Sequence, residues 1–279
     1  MGKSCDLHVH SYFSDGTCAP AELIRMAEMA GLSAVALCDH NTVAGLPEFL
    51  KAAEGSTVEA VPGIEFSTEY AGKELHILGL FIKPEAYPVI QEMMKESLRR
   101  KEQSNIDLVA RLNEAGMPLD YWQIKEEAAG SVNRAVIGAH MVKRGFCESV
   151  PEAFDRWLKT KCGFYVPPVL PSALEIIRFI KSIGAAAVLA HPFLSLKEPE
   201  QLRTFLTEAE GLDGMEVYYS KFDAEQTALA EQIAEEFGLL QSGGSDFHGA
   251  NKPNIAMGTG YGNLAIPMEL LEQLRKRIK

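Results

Sequence analysis

Six of the seven histidines in this chain stand at or near the ends of apolar, strand-like runs, five of them within two residues of another histidine or a carboxylate, spread from residue 8 to residue 248. Runs so far apart can share one site only if the fold closes and returns each of them to the same rim. Cys5-Asp6-Leu7-His8-Val9-His10 sets two histidines at i and i+2, so on a β-strand both imidazoles leave the same face. Asp246-Phe247-His248 repeats the spacing with a carboxylate in the first place. Between these runs come Asp39-His40, Glu65, His76 and His191. Any one of these histidines taken alone reads more readily as a satisfied core or surface residue. As a set, imidazole and carboxylate without thiolate is the donor mixture of Mn, Fe or Zn ions that activate water.

The runs belong to a series of strand and helix units. Ser4 to His10 reads as a strand, and Ala19 to Ala30 as an amphipathic helix closed by Gly31. Ala34 to Cys38 is a second strand, with a helix from about Val43, and Val58 to Phe66 a third. Ala185 to Ala190, Gly214 to Tyr219 and Leu239 to Ser242 are further strands, separated by helical stretches near 172–183, 198–209 and 223–237. This alternation implies a mainly parallel sheet. His8, His10, His40, Glu65, His191, Asp246 and His248 fall at strand C-termini, the rim on which a β/α barrel builds its active site. An open sheet would gather ligands at one switch point instead. The expected fold is therefore an α/β barrel of about seven strands.

One segment breaks the rhythm. From about Glu85 to Trp157 the chain is charged and helical in period, with Glu92 to Ala115 as its strongest helix and Pro118, Gly130 and Gly145 as punctuation. Residues 98–167 are expected to form a helical insertion that caps the substrate, leaving 1–97 and 168–279 as the barrel.

Composition narrows the function. With 47% hydrophobic residues in 279, the core can be large. No apolar run approaches the ~18 residues that span a bilayer, and no leader-like segment opens the chain, so no membrane partner and a cytoplasmic location are expected. Five cysteines, odd in number and without a CxxC pair, read as reduced thiols. A net charge of −11 argues against gripping long nucleic acid. A small anionic substrate stays open, because bound divalent ions reverse the local field.

His8, His10, Glu65 and Asp246 can surround one ion. Glu65, with two oxygens, can bridge to a second held by His76 and His191, which leaves Asp15, His40 and His248 as a third group. Ions roughly 3.5–4 Å apart clamp a phosphate, which suits phosphoester hydrolysis. Asp15 before Gly16 could equally make a turn and His76 could be a core histidine. Asp39 points away from the strand face of Cys38 and His40 and suits an orienting role; His140, mid-helix in the insertion, is given no chemistry.

The order His8-Val9-His10, Asp15-Gly16, Asp39-His40, Pro62-Gly63-Ile64-Glu65, His76-Ile77-Leu78, His191-Pro192 and Gly244-Ser245-Asp246-Phe247-His248 resembles the PHP (polymerase and histidinol phosphatase) superfamily over the whole chain apart from the insertion. The resemblance implies a distorted (β/α)7 barrel and a trinuclear site. Its nine ligand positions match His8, His10, Asp15, His40, Glu65, His76, His191, Asp246 and His248, with Asp15 where several members carry histidine. Two or three divalent ions are implied, Mn first and Fe or Zn as alternatives. The insertion is similar to that of the subgroup of 3′,5′-nucleotide bisphosphate phosphatases and 5′→3′ exoribonucleases. In that subgroup an arginine of the insertion faces the substrate phosphate, and the matching position is Arg134. Lys161 is a candidate for a second phosphate, and Phe164 and Tyr165 could stack on a base or pack the insertion. Arg134, Glu65 and His191 are expected to carry catalysis. The implied reaction removes the 3′-phosphate of a 3′,5′-bisphosphonucleotide. The alternatives are exoribonuclease action on short 5′-phosphorylated RNA, histidinol phosphate hydrolysis, and a non-catalytic metal-binding regulatory domain.

Overall fold

The computed structural model describes residues 3–128 and 131–278, so Gly130, expected to punctuate the insertion, lies outside it. The chain divides into two compact units, 1–91 with 170–279, and 92–169.

The first unit is built on β1 (Ser4–Val9), α1 (Pro20–Met29), β2 (Ala34–Leu37), α2 (Leu46–Ala52), β3 (Glu59–Tyr70) and β4 (Lys73–Leu80). The second holds most of α3 (Tyr87–Glu114), with α4 (Tyr121–Glu127), α5 (Arg134–Lys143) and α6 (Val150–Ala153). The chain then returns to the first unit with α7 (Ala173–Ser182), β5 (Ala186–Leu189), α8 (Pro192–Ser195), α9 (Pro199–Glu208), β6 (Gly214–Tyr219), α10 (Ala224–Glu236), β7 (Leu240–Gly244), β8 (Ile266–Pro267) and α11 (Met268–Arg275).

Among the described residues the eight strands form one sheet in the order β7-β6-β5-β4-β3-β2-β1-β8. β2 and β5 are apolar and buried along their whole length, as strands covered on both faces must be. The sheet closes on itself past the end of β7. Asp246 N donates to His8 O at 2.8 Å and His10 N to Phe247 O at 2.9 Å. Closure needs Gly244: a Cβ there would lie 2.7 Å from the backbone nitrogen of His8. Leu7, Ala36, Val61, Leu78, Val188 and Ile266 are among the residues that fill the core. The result is the expected distorted barrel, with the two-residue β8 pairing antiparallel to β1.

Besides β8, the sheet departs from parallel pairing at β4. β4 runs antiparallel to both β3 and β5, because β3 continues five residues past Glu65 and turns back in a hairpin. Glu65 is thus inside a strand and not at its end, and His76 sits within β4, opposite Ser67. The turn is Ala71-Gly72, both at positive φ (50° and 75°), the geometry of a two-residue hairpin loop.

The unit 92–169 has its own core of Leu108, Leu112, Ile124, Ile137, Met141 and Leu158. Its short helices begin on side-chain caps. Asp120 accepts from Trp122 N and Gln123 N, and Asn133 from Val136 N, each satisfying orphan amides of the first turn. No helix of the described residues is long and apolar enough to cross a membrane.

Candidate metal centre

The nine sequence-predicted ligand residues meet in the barrel unit, and Glu65 is their hub. Its Oε1 lies 2.7 Å from His76 Nδ1 and 3.0 Å from His191 Nε2. Its Oε2 faces His8 Nε2 at 3.2 Å, His10 Nε2 at 3.3 Å and His40 Nδ1 at 3.1 Å. One carboxylate thus separates two sets of imidazoles, which is the disposition a bridging ligand needs. His10 Nε2 also stands 3.3 Å from Asp246 Oδ1, and His248 Nε2 3.2 Å from Asp15 Oδ1. Four overlapping groups could each hold an ion: His8, His10 and Asp246; His8, Glu65 and His191; His40, Glu65 and His76; and His10, Asp15, His40 and His248. His8, His10 and His40 therefore each face two groups, a sharing that the one-dimensional grouping of ligands did not contain.

Local chain geometry produces this convergence. His8, on β1, and His10, one residue past its end, keep their i, i+2 spacing and bring their ring centroids within 5.0 Å of each other. Past β1 the chain turns sharply, with Gly16 N and Ser14 N both donating to Ser11 O, and this brings Asp15 back beside His10. The turn needs a glycine at 16, since a Cβ there would lie 2.7 Å from the carbonyl carbon of His10. Buried Asp39 ties the turn down. Its Oδ1 accepts from Ser11 N (2.8 Å) and Ser14 Oγ (2.6 Å), and its Oδ2 from Ser11 Oγ (2.6 Å). Asn41, His191 and Asp246 hold positive φ values of 56°, 28° and 57°, conformations that non-glycine residues keep only where the surroundings enforce them.

The donor set fits divalent ions. Burial raises the Glu65 carboxyl, but the fields of His40, His76 and His8 outweigh it and hold it well below the usual range, so it is ionised. Burial, reinforced by the charge of His248, pushes His10 well below the ordinary imidazole value, which favours the neutral ligand form. His8 Nε2, His10 Nε2 and Glu65 Oε2 are buried with no aligned hydrogen-bond partner, although both nitrogens approach that oxygen within 3.3 Å, and buried His10 Nδ1 stands 3.9 Å from Asp15 Oδ1. Close approach without donor alignment is what lone pairs aimed at a common cation produce.

Three neighbours of the site carried no signal in the sequence reading. Glu216 accepts from His191 N at 2.7 Å and lies 2.9 Å from His8 Nδ1. Tyr219 and Lys252 both donate to Asp246 Oδ2, at 2.8 and 2.6 Å. Glu216 and Tyr219 stand in an apolar run without a histidine or a second acid, so neither shows the pairing that marked the ligands.

Residues 6–160, more than half the chain, match the model of the PHP domain. The chain belongs to the PHP domain family. Among curated proteins it is similar to a 5′-3′ exoribonuclease of Haemophilus influenzae, 33% identical over 89% of this chain and 91% of the relative. It is 30% identical to a phosphoribosyl 1,2-cyclic phosphate 1,2-diphosphodiesterase of Eggerthella lenta (88% of this chain, 94% of the relative). It is 28% identical to a 3′,5′-nucleoside bisphosphate phosphatase of Chromobacterium violaceum (87% and 86%). Its fold matches that of a protein from Bifidobacterium adolescentis assigned as a metal-dependent phosphoesterase, with a TM-score of 0.85 and 29% identity over 99% of this chain and 97% of the other. This PHP protein is a metal-dependent phosphoesterase, an enzyme and not a silent metal-binding domain.

The other predicted residues lie in the unit 92–169. Arg134 opens α5, its guanidinium 4.2 Å from the Tyr165 ring and 5.7 Å from that of Phe154, with Nη1 donating to Leu158 O at 3.4 Å. Phe164 packs edge-on against Trp157. Both aromatics are therefore engaged inside this unit. Lys161 is exposed on a single 3-10 turn, and His140 lies on α5, 4.0 Å from Glu127.

Proposed function

We propose that this PHP enzyme removes the 3′-phosphate of a 3′,5′-bisphosphonucleotide such as adenosine 3′,5′-bisphosphate, releasing the nucleoside 5′-phosphate and inorganic phosphate. His8, His10, Asp15, His40, Glu65, His76, His191, Asp246 and His248 would hold two or three divalent ions, Mn²⁺ foremost. When bound, such ions polarise phosphate oxygens and make water a nucleophile near neutral pH. Glu65 keeps the two sets of imidazoles in register. Arg134 forks onto a phosphate of the substrate and balances the charge that grows on phosphoryl oxygens in the transition state, and Lys161 assists at the second phosphate.

The observation that carries the choice of a doubly phosphorylated substrate is the bracing of Arg134. With its guanidinium carbon 4.2 Å from the Tyr165 ring centroid and Nη1 donating to Leu158 O, the side chain is braced before any ligand arrives, and a pre-set fork selects phosphate geometry at a lower entropic cost. The name of the Chromobacterium violaceum relative agrees with that substrate. A second reading, 5′→3′ trimming of short 5′-phosphorylated RNA, is favoured by the higher identity of the Haemophilus influenzae relative. The net charge of −11 disfavours long RNA but not oligonucleotides of a few residues.

The test is a product-resolved assay of the Mn-reloaded protein on adenosine 3′,5′-bisphosphate, adenosine 3′-phosphate, a 5′-phosphorylated dinucleotide and histidinol phosphate. The bisphosphate should be preferred over the 3′-mononucleotide by about two orders of magnitude, the worth of one charged anchor. Equal turnover of these two would contradict the proposal. Faster cleavage of the dinucleotide would establish the exoribonuclease reading instead.

A further inference from the structure

Glu216 is a buried carboxylate in the otherwise apolar strand β6, where its charge is tolerable only if both oxygens are well paired. They are paired with two different parts of the metal centre. Oε1 lies 2.9 Å from His8 Nδ1, and Oε2 accepts the backbone N–H of His191 at 2.7 Å. The far nitrogens of the same two imidazoles face opposite oxygens of Glu65, His8 Nε2 at 3.2 Å from Oε2 and His191 Nε2 at 3.0 Å from Oε1. Glu216 thus touches the centre twice while belonging to none of the four ligand groups.

We propose that Glu216 is a positioning residue of the metal centre, fixing the tautomer of His8 through one oxygen and the backbone turn at His191 through the other. A carboxylate oxygen accepts here, so the bond to Glu216 keeps a proton on His8 Nδ1 and reserves Nε2, on the Glu65 side, as the nitrogen that would face a bound cation. At His191 the chain holds a left-handed conformation (φ 28°, ψ 58°) immediately before Pro192, a backbone shape disfavoured for a β-substituted residue that precedes proline. The charge-assisted bond from its N–H to Glu216 holds that turn, and the turn delivers the ring to the second face of Glu65. Two ligand nitrogens drawn from β1 and from the end of β5 are set by one side chain on β6.

The inference rests on the metal-centre reading and is independent of which phosphoester is cleaved. Glu216→Gln separates positioning from packing because the amide has the same shape. Its oxygen can still accept from His191 N–H, but its NH₂ then faces His8 Nδ1 and drives the proton to Nε2, the nitrogen that must stay bare. We expect ring-nitrogen NMR shifts of the apo-protein to show a proton on His8 Nδ1 in the parent chain and a bare Nδ1 in Glu216→Gln. Calorimetric titration should show Mn²⁺ affinity falling by about tenfold to a hundredfold, with apo-protein melting nearly unchanged. A His8 whose Nδ1 is bare in the parent protein would overturn the proposal whatever the variant does. So would a Glu216→Gln protein that keeps the parent tautomer and Mn²⁺ affinity, or one whose loss of affinity merely follows a collapse in apo melting. If the parent takes up no Mn²⁺ at all, the ligand reading fails, and the His8 tautomers of the two apo-proteins still decide the role of Glu216.

Discussion

Tyr219 donates its hydroxyl hydrogen to Asp246 Oδ2 at 2.8 Å, while the other oxygen of Asp246 stands 3.3 Å from His10 Nε2. The phenol therefore sets the rotation of a carboxylate that faces the metal centre. Tyr219→Phe keeps the ring packing and removes only that bond, leaving Lys252 as the remaining donor to Oδ2. Stability should fall by about 0.5–1.5 kcal/mol, and Mn²⁺ affinity by about tenfold. Chemical denaturation and calorimetric titration check the two values separately. Unchanged affinity would show that Lys252 suffices.

Gly244 marks where β7 passes against β1. An added Cβ would meet the backbone nitrogen of His8 at 2.7 Å, and backbone cannot swing aside as a side chain can. Gly244→Ala should therefore cost about 3 kcal/mol or more, beyond the usual range of overpacking. Urea denaturation followed by circular dichroism reads the loss. A variant as stable as the parent would show that the barrel seam is looser than this contact implies.

Arg134→Lys keeps the charge but loses the planar fork and its contact with the Tyr165 ring. kcat/KM should drop by about tenfold to a thousandfold with Mn²⁺ binding unaltered. Steady-state kinetics on the preferred substrate measure the drop, and parent-like kinetics would remove Arg134 from the substrate site.

The sequence showed the site more completely than the sheet. His8 and His10 are conspicuous through their i, i+2 spacing in an apolar run; Asp246 and His248 show the same spacing, but they lie past the end of β7 with Asp246 at a φ of 57°, so a turn and not a strand face delivers them. The hairpin of β3 and β4 was not legible, because one of its two positive-φ turn positions is Ala71 and not the Asn, Asp or Gly that such turns favour. Without that turn, Lys73–Leu80 did not read as a strand, and Glu65 was placed at a strand end. Glu216 was hidden for a different reason. Its chemistry lies entirely in contacts with His8 and His191, far away in the chain, and nothing in Gly214–Tyr219 announces a carboxylate partner.

The central claim is that Glu65, by facing His76 and His191 with one oxygen and His8, His10 and His40 with the other, joins the ions of a single centre. Its most direct test is the metal content per chain of Mn-reloaded parent and Glu65→Gln proteins, measured with phosphoesterase activity on the same samples. The parent should hold two or three ions. Glu65→Gln, which exchanges one anionic oxygen for an NH₂ group that cannot ligate, should lose at least one ion and essentially all turnover. A Glu65→Gln protein with parent metal content and parent activity would contradict the account.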